Sequence, residues 1–321
     1  MPNKARWTRH ILISIAALVL ATQANAQSGN ITMVVPAGAG SAPDIMARLL
    51  GDELRVRLGQ AVVVDNRTGG GGIVAVNAAR QSTSPDTLLL AQAAVVTVTP
   101  LTYRAANYNL ERDMEPVAVV AETPMLFVGN TSSGPQTLAE AVASAKARPE
   151  SLTIGSPSRG SIPHLSAELL MQATGSRFNV VPMGASGQAL QAVVNGDTQI
   201  SVDGIAALLP LVRAGKLRAL GVASARTLPG LEGMPLVKDT VPGFVATGWF
   251  MLFAKKGTAP ARVKAINEAV NAALKSPDMQ QKLQTTATYP VGGSVSDAVT
   301  FLAREKALWS SAIQRANIQP E

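Results

Sequence analysis

Short strand-like runs recur along this chain, and several of them are continuous apolar stretches, as strands covered on both faces require. They fall at Ile31–Val35, Ala61–Val64, Thr87–Ala91, Val117–Ala121, Met125–Val128, Leu152–Gly155, Phe178–Val181, Ile200–Val202, Leu217–Val222 and Trp249–Phe253. Helical patterns separate many of them. Thr137-Leu138-Ala139-Glu140 is a capping box that predicts a helix to about Lys146, with Leu138, Ala141, Val142 and Ala145 on one face. Apolar stripes follow at Val263, Ile266, Val270, Ala273 and Leu274, and again at Phe301, Leu302, Leu308, Trp309, Ala312 and Ile313. Strands alternating with helices predict an α/β protein.

The first 26 residues read as an address. Lys4, Arg6 and Arg9 form a basic start, Ile11–Ala21 is apolar but too short to span a bilayer with ease, and Ala24-Asn25-Ala26 is a small-x-small cleavage site. The mature chain is expected to begin at Gln27, exported unfolded by the general pathway because no twin-arginine pair is present. Removing the leader lowers Lys+Arg from 28 to 25 against 21 acids, so the net charge drops from +7 to +4. So weak a surplus, without basic runs, argues against nucleic acid and suits a collector of anions. There is no cysteine, and His164 is the one histidine beyond the leader, so no zinc site and no disulfide framework are expected.

A mature length near 300 residues exceeds one comfortable core and predicts two α/β domains. No long linker divides them, which implies that the chain crosses between them more than once. Catalytic signatures are missing: no G-x-S-x-G, S-x-x-K, phosphate loop or H-E-x-x-H occurs. Gly70-Gly71-Gly72-Ile73-Val74-Ala75 fits a dinucleotide fingerprint by letter. It stands too far from its strand for that role, because Asp65 to Gly69 intervene.

Binding is legible in a loop instead. After Ile31–Val35, Ala37, Gly38, Ala39, Gly40 and Ser41 lead into a helix opened by Pro43 and Asp44, an arrangement that offers backbone N–H groups to a carboxylate or phosphate. Asp44 and Asp203 each stand at an expected helix start, where a carboxylate can serve as N-cap, the more so for Asp203, and capping is compatible with ligand contact.

Val35-Pro36 through Arg48, Val64-Asp65-Asn66-Arg67-Thr68-Gly69-Gly70-Gly71-Gly72, Ile154-Gly155-Ser156 through His164-Leu165, Leu209-Pro210-Leu211-Val212-Arg213-Ala214-Gly215-Lys216-Leu217-Arg218-Ala219-Leu220 and Gly248-Trp249-Phe250 occur in one order. In this the chain resembles the Bug family, the extracytoplasmic solute-binding components of tripartite tricarboxylate transporters, over nearly its whole mature length. The resemblance implies a type II periplasmic-binding fold, with lobe 1 at 27–124 plus 248–321, lobe 2 at 125–247, a hinge and a ligand cleft between them. It implies a monomeric receptor without catalysis, cofactor or metal, which takes a small carboxylate to membrane transporter subunits; a sensor that presents its closed form to a membrane kinase is the alternative.

The ligand contacts it implies are Ala37–Ser41 with Asp44, then Ser156, Ser158, Arg159, Gly160, Ser161 and His164, then Met183, Gly184, Ala185 and Ser186, with Asp203. Departures from the family pattern are Ala37 in place of an aromatic, Met183-Gly184 in place of Tyr-Lys, a missing Gly-Tyr pair after Asp86, and Arg159 in place of a small or amide residue. They predict a pocket that is roomier or differently shaped than is usual in the family and, if Arg159 turns into the cleft, a dicarboxylate.

Overall fold

A computed structural model describes residues 29–320; the expected leader and the start at Gln27 lie outside them. In chain order the elements are β1 (Ile31–Val35), α1 (Ala42–Leu58), β2 (Val62–Asn66), a 3₁₀ turn (Gly70–Gly72), α2 (Ile73–Gln81), β3 (Thr87–Gln92), α3 (Ala93–Thr97), α4 (Thr99–Thr102), α5 (Leu110–Asp113) and β4 (Met114–Asn130). They continue as α6 (Leu138–Ala147), β5 (Thr153–Ser156), α7 (Ile162–Thr174), β6 (Asn179–Pro182), α8 (Ser186–Asn195), β7 (Ile200–Gly204), α9 (Ile205–Arg213) and β8 (Leu217–Val222). The last are α10 (Val237–Thr240), β9 (Thr247–Lys255), α11 (Pro260–Leu274), α12 (Pro277–Thr285), β10 (Tyr289–Gly292) and α13 (Val295–Arg315).

β4 organises the molecule because it belongs to two sheets. Its first part, as far as Pro124, pairs antiparallel with β9 and β10, and its second part, from Met125, pairs antiparallel with β7 and β8. Beyond β9 lie β3, β1 and β2, the last three mutually parallel; beyond β7 lie β5 and β6, parallel again. The runs at Val117–Ala121 and Met125–Val128 are therefore one strand, not two. Pro124 does not break it, because the ladder changes partners there and a missing donor is tolerated at such a point. β10, four residues with a proline, carried too little signal to be read from sequence.

The chain passes from one sheet to the other within β4 and returns at Ala246–Thr247, where β9 begins. α13 adds a tie between the halves. Its Leu302, Trp309, Ala312 and Ile313 join the same buried cluster as Leu165 and Leu169 of α7, and Gln172 bonds Ser311. Within that cluster Trp249 and Trp309 both donate their indole N–H to Oε2 of Glu305, at 2.9 and 3.0 Å. The two aromatics that most fill the core are thus held by one buried carboxylate. The predicted capping box of α6 forms in altered register: Thr137 Oγ1 accepts from the Glu140 N–H, while Glu140 reaches back one residue further, to Gln136.

Candidate functional site: a cavity between the two sheets

A cavity of about 460 Å³ lies between the sheets. Its walls are Pro36, the Thr68–Gly72 turn, residues from Gln92 to Tyr103, the Ser158–Ser161 loop, and Ile318 and Gln319 beyond α13. Both sheets contribute.

Four consecutive glycines shape the first wall. Gly69, Gly70, Gly71 and Gly72 have φ of 120°, 55°, 60° and 99°, a run that side-chain-bearing residues rarely adopt. Space forbids side chains as well: a Cβ on Gly72 would lie 2.7 Å from Val95 Cγ2, and one on Gly71 3.1 Å from the Tyr103 ring. Thr99 Oγ1 donates to the Gly71 carbonyl at 2.8 Å, so the turn is locked onto the short helices α3 and α4. The turn feeds the N-terminus of α2, which carries a partial positive charge near the cavity. The glycine run set aside as a nucleotide fingerprint is thus a wall of the cavity.

The opening loop stands beside the cavity, with Pro36 its lining member. Much of the loop's hydrogen-bonding capacity is turned inward. The Gly40 N–H donates to Asp44 Oδ2 at 2.8 Å, Ser41 Oγ donates to the Gly38 carbonyl at 2.6 Å, and Asn66 donates to the Ala37 carbonyl at 3.0 Å. Ser41 occupies the N-cap of α1, so Asp44 acts three residues inside the helix. Arg48 and the Gly40 N–H beside its buried carboxylate hold the Asp44 pKa below the usual range. Ala39 is exposed.

On the other side Ser158, Arg159, Gly160 and Ser161 line the cavity at the N-terminus of α7. Ser161 caps that helix by accepting from the His164 N–H, and Nδ1 of His164 accepts the Gly160 N–H at 3.3 Å. His164 lies beneath the loop, buried, away from the cavity lining. Burial, and then the Arg159 charge, push its pKa down to about 4, so it is neutral at pH 7. Ser156 is also buried beneath the loop, with no partner for its hydroxyl among the described residues.

The third loop supports the second. Ser158 Oγ donates to the Gly184 carbonyl at 2.6 Å and the Met183 N–H donates to Ser156 O at 2.8 Å, while Met183, Gly184, Ala185 and Ser186 themselves stay outside the lining. Asp203 is the last residue but one of β7, paired with Leu126, and accepts the Gly204 N–H at 2.7 Å. Gly204, not Asp203, is the N-cap of α9, since the helix begins at Ile205. Burial raises the Asp203 pKa, against a bond from Ser186 that lowers it.

Arg159 is the one charged side chain lining the cavity among the described residues. It is exposed at the cavity's edge, and its Nη2 donates to the carbonyls of Ala316 and Asn317, each at 3.4 Å. With no acid on the walls, two helix N-termini and a guanidinium make the cavity electropositive. Pro36, Ala94, Val95, Val98, Tyr103 and Ile318 make the rest apolar. Gln92 adds one acceptor: its Oε1 is buried with no partner among the described residues.

Sequence reasoning missed Thr68, Gly69, Gly71 and Gly72 as site residues although the glycine run was visible, and missed Gln92, Thr99, Tyr103, Ile318 and Gln319 entirely. The glycines could have been found from their place after β2; the others come from short helices and a chain end with no local pattern.

A two-lobed α/β fold with such a cavity between its sheets is that of a periplasmic binding protein. The chain belongs to the tripartite tricarboxylate transporter receptor family, whose profile, described as "Tripartite tricarboxylate transporter family receptor", matches residues 46–318. The protein BugT of Bordetella pertussis is 31% identical over 287 residues, covering 88% of each chain. Among solved structures, "R. palustris Rpa4515 with adipate" is 31% identical with a TM-score of 0.75, covering 92% of this chain and 99% of that one. "MatC (Rpa3494) from Rhodopseudomonas palustris with bound malate" is 27% identical with a TM-score of 0.69, covering 89% and 99%.

Proposed function

We propose that this protein is a periplasmic receptor that captures a small dicarboxylate between two lobes, 27–124 with 248–321 and 125–247, and delivers it to a tripartite tricarboxylate-type membrane transporter. The observation that carries the reading is the charge pattern of the cavity: one guanidinium and two helix N-termini, no acidic side chain, and apolar walls between them. One carboxylate is held by Arg159 and the α7 N-terminus. The other meets the glycine turn and the α2 N-terminus. The methylene chain lies against Val95, Val98 and Tyr103. That relatives of this size hold adipate and malate, both dicarboxylates, supports the same class of ligand here.

Affinity does not require catalysis. A micromolar ligand needs about 8 kcal/mol of net binding, and each bond to a carboxylate contributes roughly 1.5–3 kcal/mol, so four or five donors shared between lobes suffice. Because the donors belong to both lobes, the ligand favours the closed arrangement, and a membrane partner can sense that closure. The leader at 1–26, cleaved near Ala26, places the mature monomer in the periplasm, where it turns nothing over.

The test is a thermal-shift screen of unfolded and refolded mature protein, stripped of carried-over solute, against mono-, di- and tricarboxylates, amino acids and aromatic acids. A selective shift with dicarboxylates supports the reading. A shift confined to amino acids or monocarboxylates contradicts it.

A further inference from the structure

The chain leaves α13 through a turn that lays its last described residues along the cavity. Asn317 has a φ of 47°, its N–H donates to the Gln314 carbonyl at 3.2 Å, and the Ile318 N–H donates to the Ile313 carbonyl at 3.3 Å. These two bonds with a left-handed residue between them are a Schellman ending, for which asparagine is the usual substitute for glycine. The ending redirects Ile318 and Gln319 into the cavity wall, and Arg104 holds the Pro320 carbonyl at 3.0 Å on the far side. From the opposite wall Arg159 grips the carbonyls of Ala316 and Asn317, where a cation also complements the negative end of the helix. Gly160 comes close enough that a Cβ there would sit 3.8 Å from Ile318 Cδ1.

Behind this segment lies a second cavity of about 290 Å³, and Ile318 and Gln319 line it as well. They are the two residues common to both cavities. The segment is a partition.

We infer that residues 317–320 form a strap that ends the ligand cavity, and that Ile318 and Gln319 set the longest dicarboxylate the protein accepts. The inference rests on the dicarboxylate reading above. Ile318 is half-buried and packs against the main core, which holds this end of the wall in place. With the wall removed, the two cavities join and added methylenes can be buried, each contributing about fourfold in affinity. Short acids lose contacts and weaken.

The experiment titrates succinate, adipate, suberate and sebacate into the stripped mature protein, the Ile318→Ala/Gln319→Ala double variant, Ile318→Leu, and a chain lacking 318–321. The double variant and the shortened chain should move the optimum to longer acids, by roughly fourfold per added methylene, while Ile318→Leu keeps the original order. An unchanged order of affinities in all variants overturns the strap and leaves the dicarboxylate reading standing. If the unaltered protein binds none of the four acids, the dicarboxylate reading fails, and the strap is judged by hydrogen exchange of the ligand-free protein. Loss of 318–321 should then speed exchange of the amides in 158–162 roughly tenfold; equal rates overturn it.

Discussion

The N–H of Gly160 donates to Nδ1 of His164 at 3.3 Å, and through that bond a buried, neutral imidazole holds the turn that carries Arg159. With Nδ1 accepting, the ring proton sits on Nε2. Protonation would convert Nδ1 to a donor facing another donor. His164 has a pKa near 4 in the folded chain against about 6.5 unfolded, so between these values the unfolded state binds a proton that the native state refuses. Its contribution to stability is complete above about pH 6.5 and is lost as pH falls toward 4, by at most about 3 kcal/mol. Glu168 of α7 lies 3.9 Å from the other ring nitrogen, Nε2, and burial raises its pKa; because it is present in both proteins, the comparison with His164→Gln separates the histidine's effect from it. The stability advantage of the unaltered protein in urea unfolding should shrink from pH 7 to pH 4.5. An NMR titration giving His164 a pKa near 6.5 would contradict the burial argument.

The glycine turn should discriminate between two substitutions of the same kind. Gly72→Ala puts a Cβ 2.7 Å from Val95 in a backbone with φ of 99°, and should cost about 2–4 kcal/mol of stability as strain and repacking add. Gly38→Ala meets nothing nearer than Thr68 Cγ2 at 3.8 Å and should cost under about 1 kcal/mol. Thermal denaturation of both variants checks the contrast; equal losses would mean that the turn is looser than its geometry.

Gln92 has a buried acceptor with no partner among the described residues. A ligand hydroxyl can supply the missing donor, so replacing Gln92 with Leu should leave the ligand-free protein as stable or stabler by up to about 1 kcal/mol. The same change should cost malate about fivefold more than succinate. Calorimetric titration of both acids decides it, and parallel losses would mean that Gln92 does not face the ligand.

Glu305 is buried and lies outside the lining of the ligand cavity. Glu305→Leu leaves the indole N–H groups of Trp249 and Trp309 unpaired in a dry cluster, at about 1–3 kcal/mol each. Urea unfolding should show a loss of roughly 2–5 kcal/mol, with near-unchanged ligand affinity in whatever protein folds. A neutral result would show that water reaches the pair.

Most of the fold was legible because burial on both faces writes strands as continuous apolar runs, as at Leu88–Ala91 and Val117–Ala121. Where the signal is local, the reading and the structure agree: Thr137 caps α6, and the stripe from Val263 to Leu274 lies on α11. Legibility fails where the cause is not local. Nothing near Pro124 says that β4 continues through it, since that depends on a change of pairing partner. The cavity shows the same limit. Arg159 and its neighbours announce themselves at a helix start, whereas Tyr103 and Ile318 meet the same cavity from places distant in sequence, brought there by the glycine turn and the Asn317 turn.

A dicarboxylate held against Arg159 should be visible in isothermal titration of the stripped mature protein with adipate, run in parallel with Arg159→Ala. One site per chain is expected, weakened about tenfold in the variant; the loss of roughly 1–2 kcal/mol is modest because the guanidinium is exposed. A monocarboxylate of similar length should lose less than half as much in free energy. Equal losses for both acids, or tight adipate binding untouched by Arg159→Ala, would mean that Arg159 does not hold a carboxylate of the ligand.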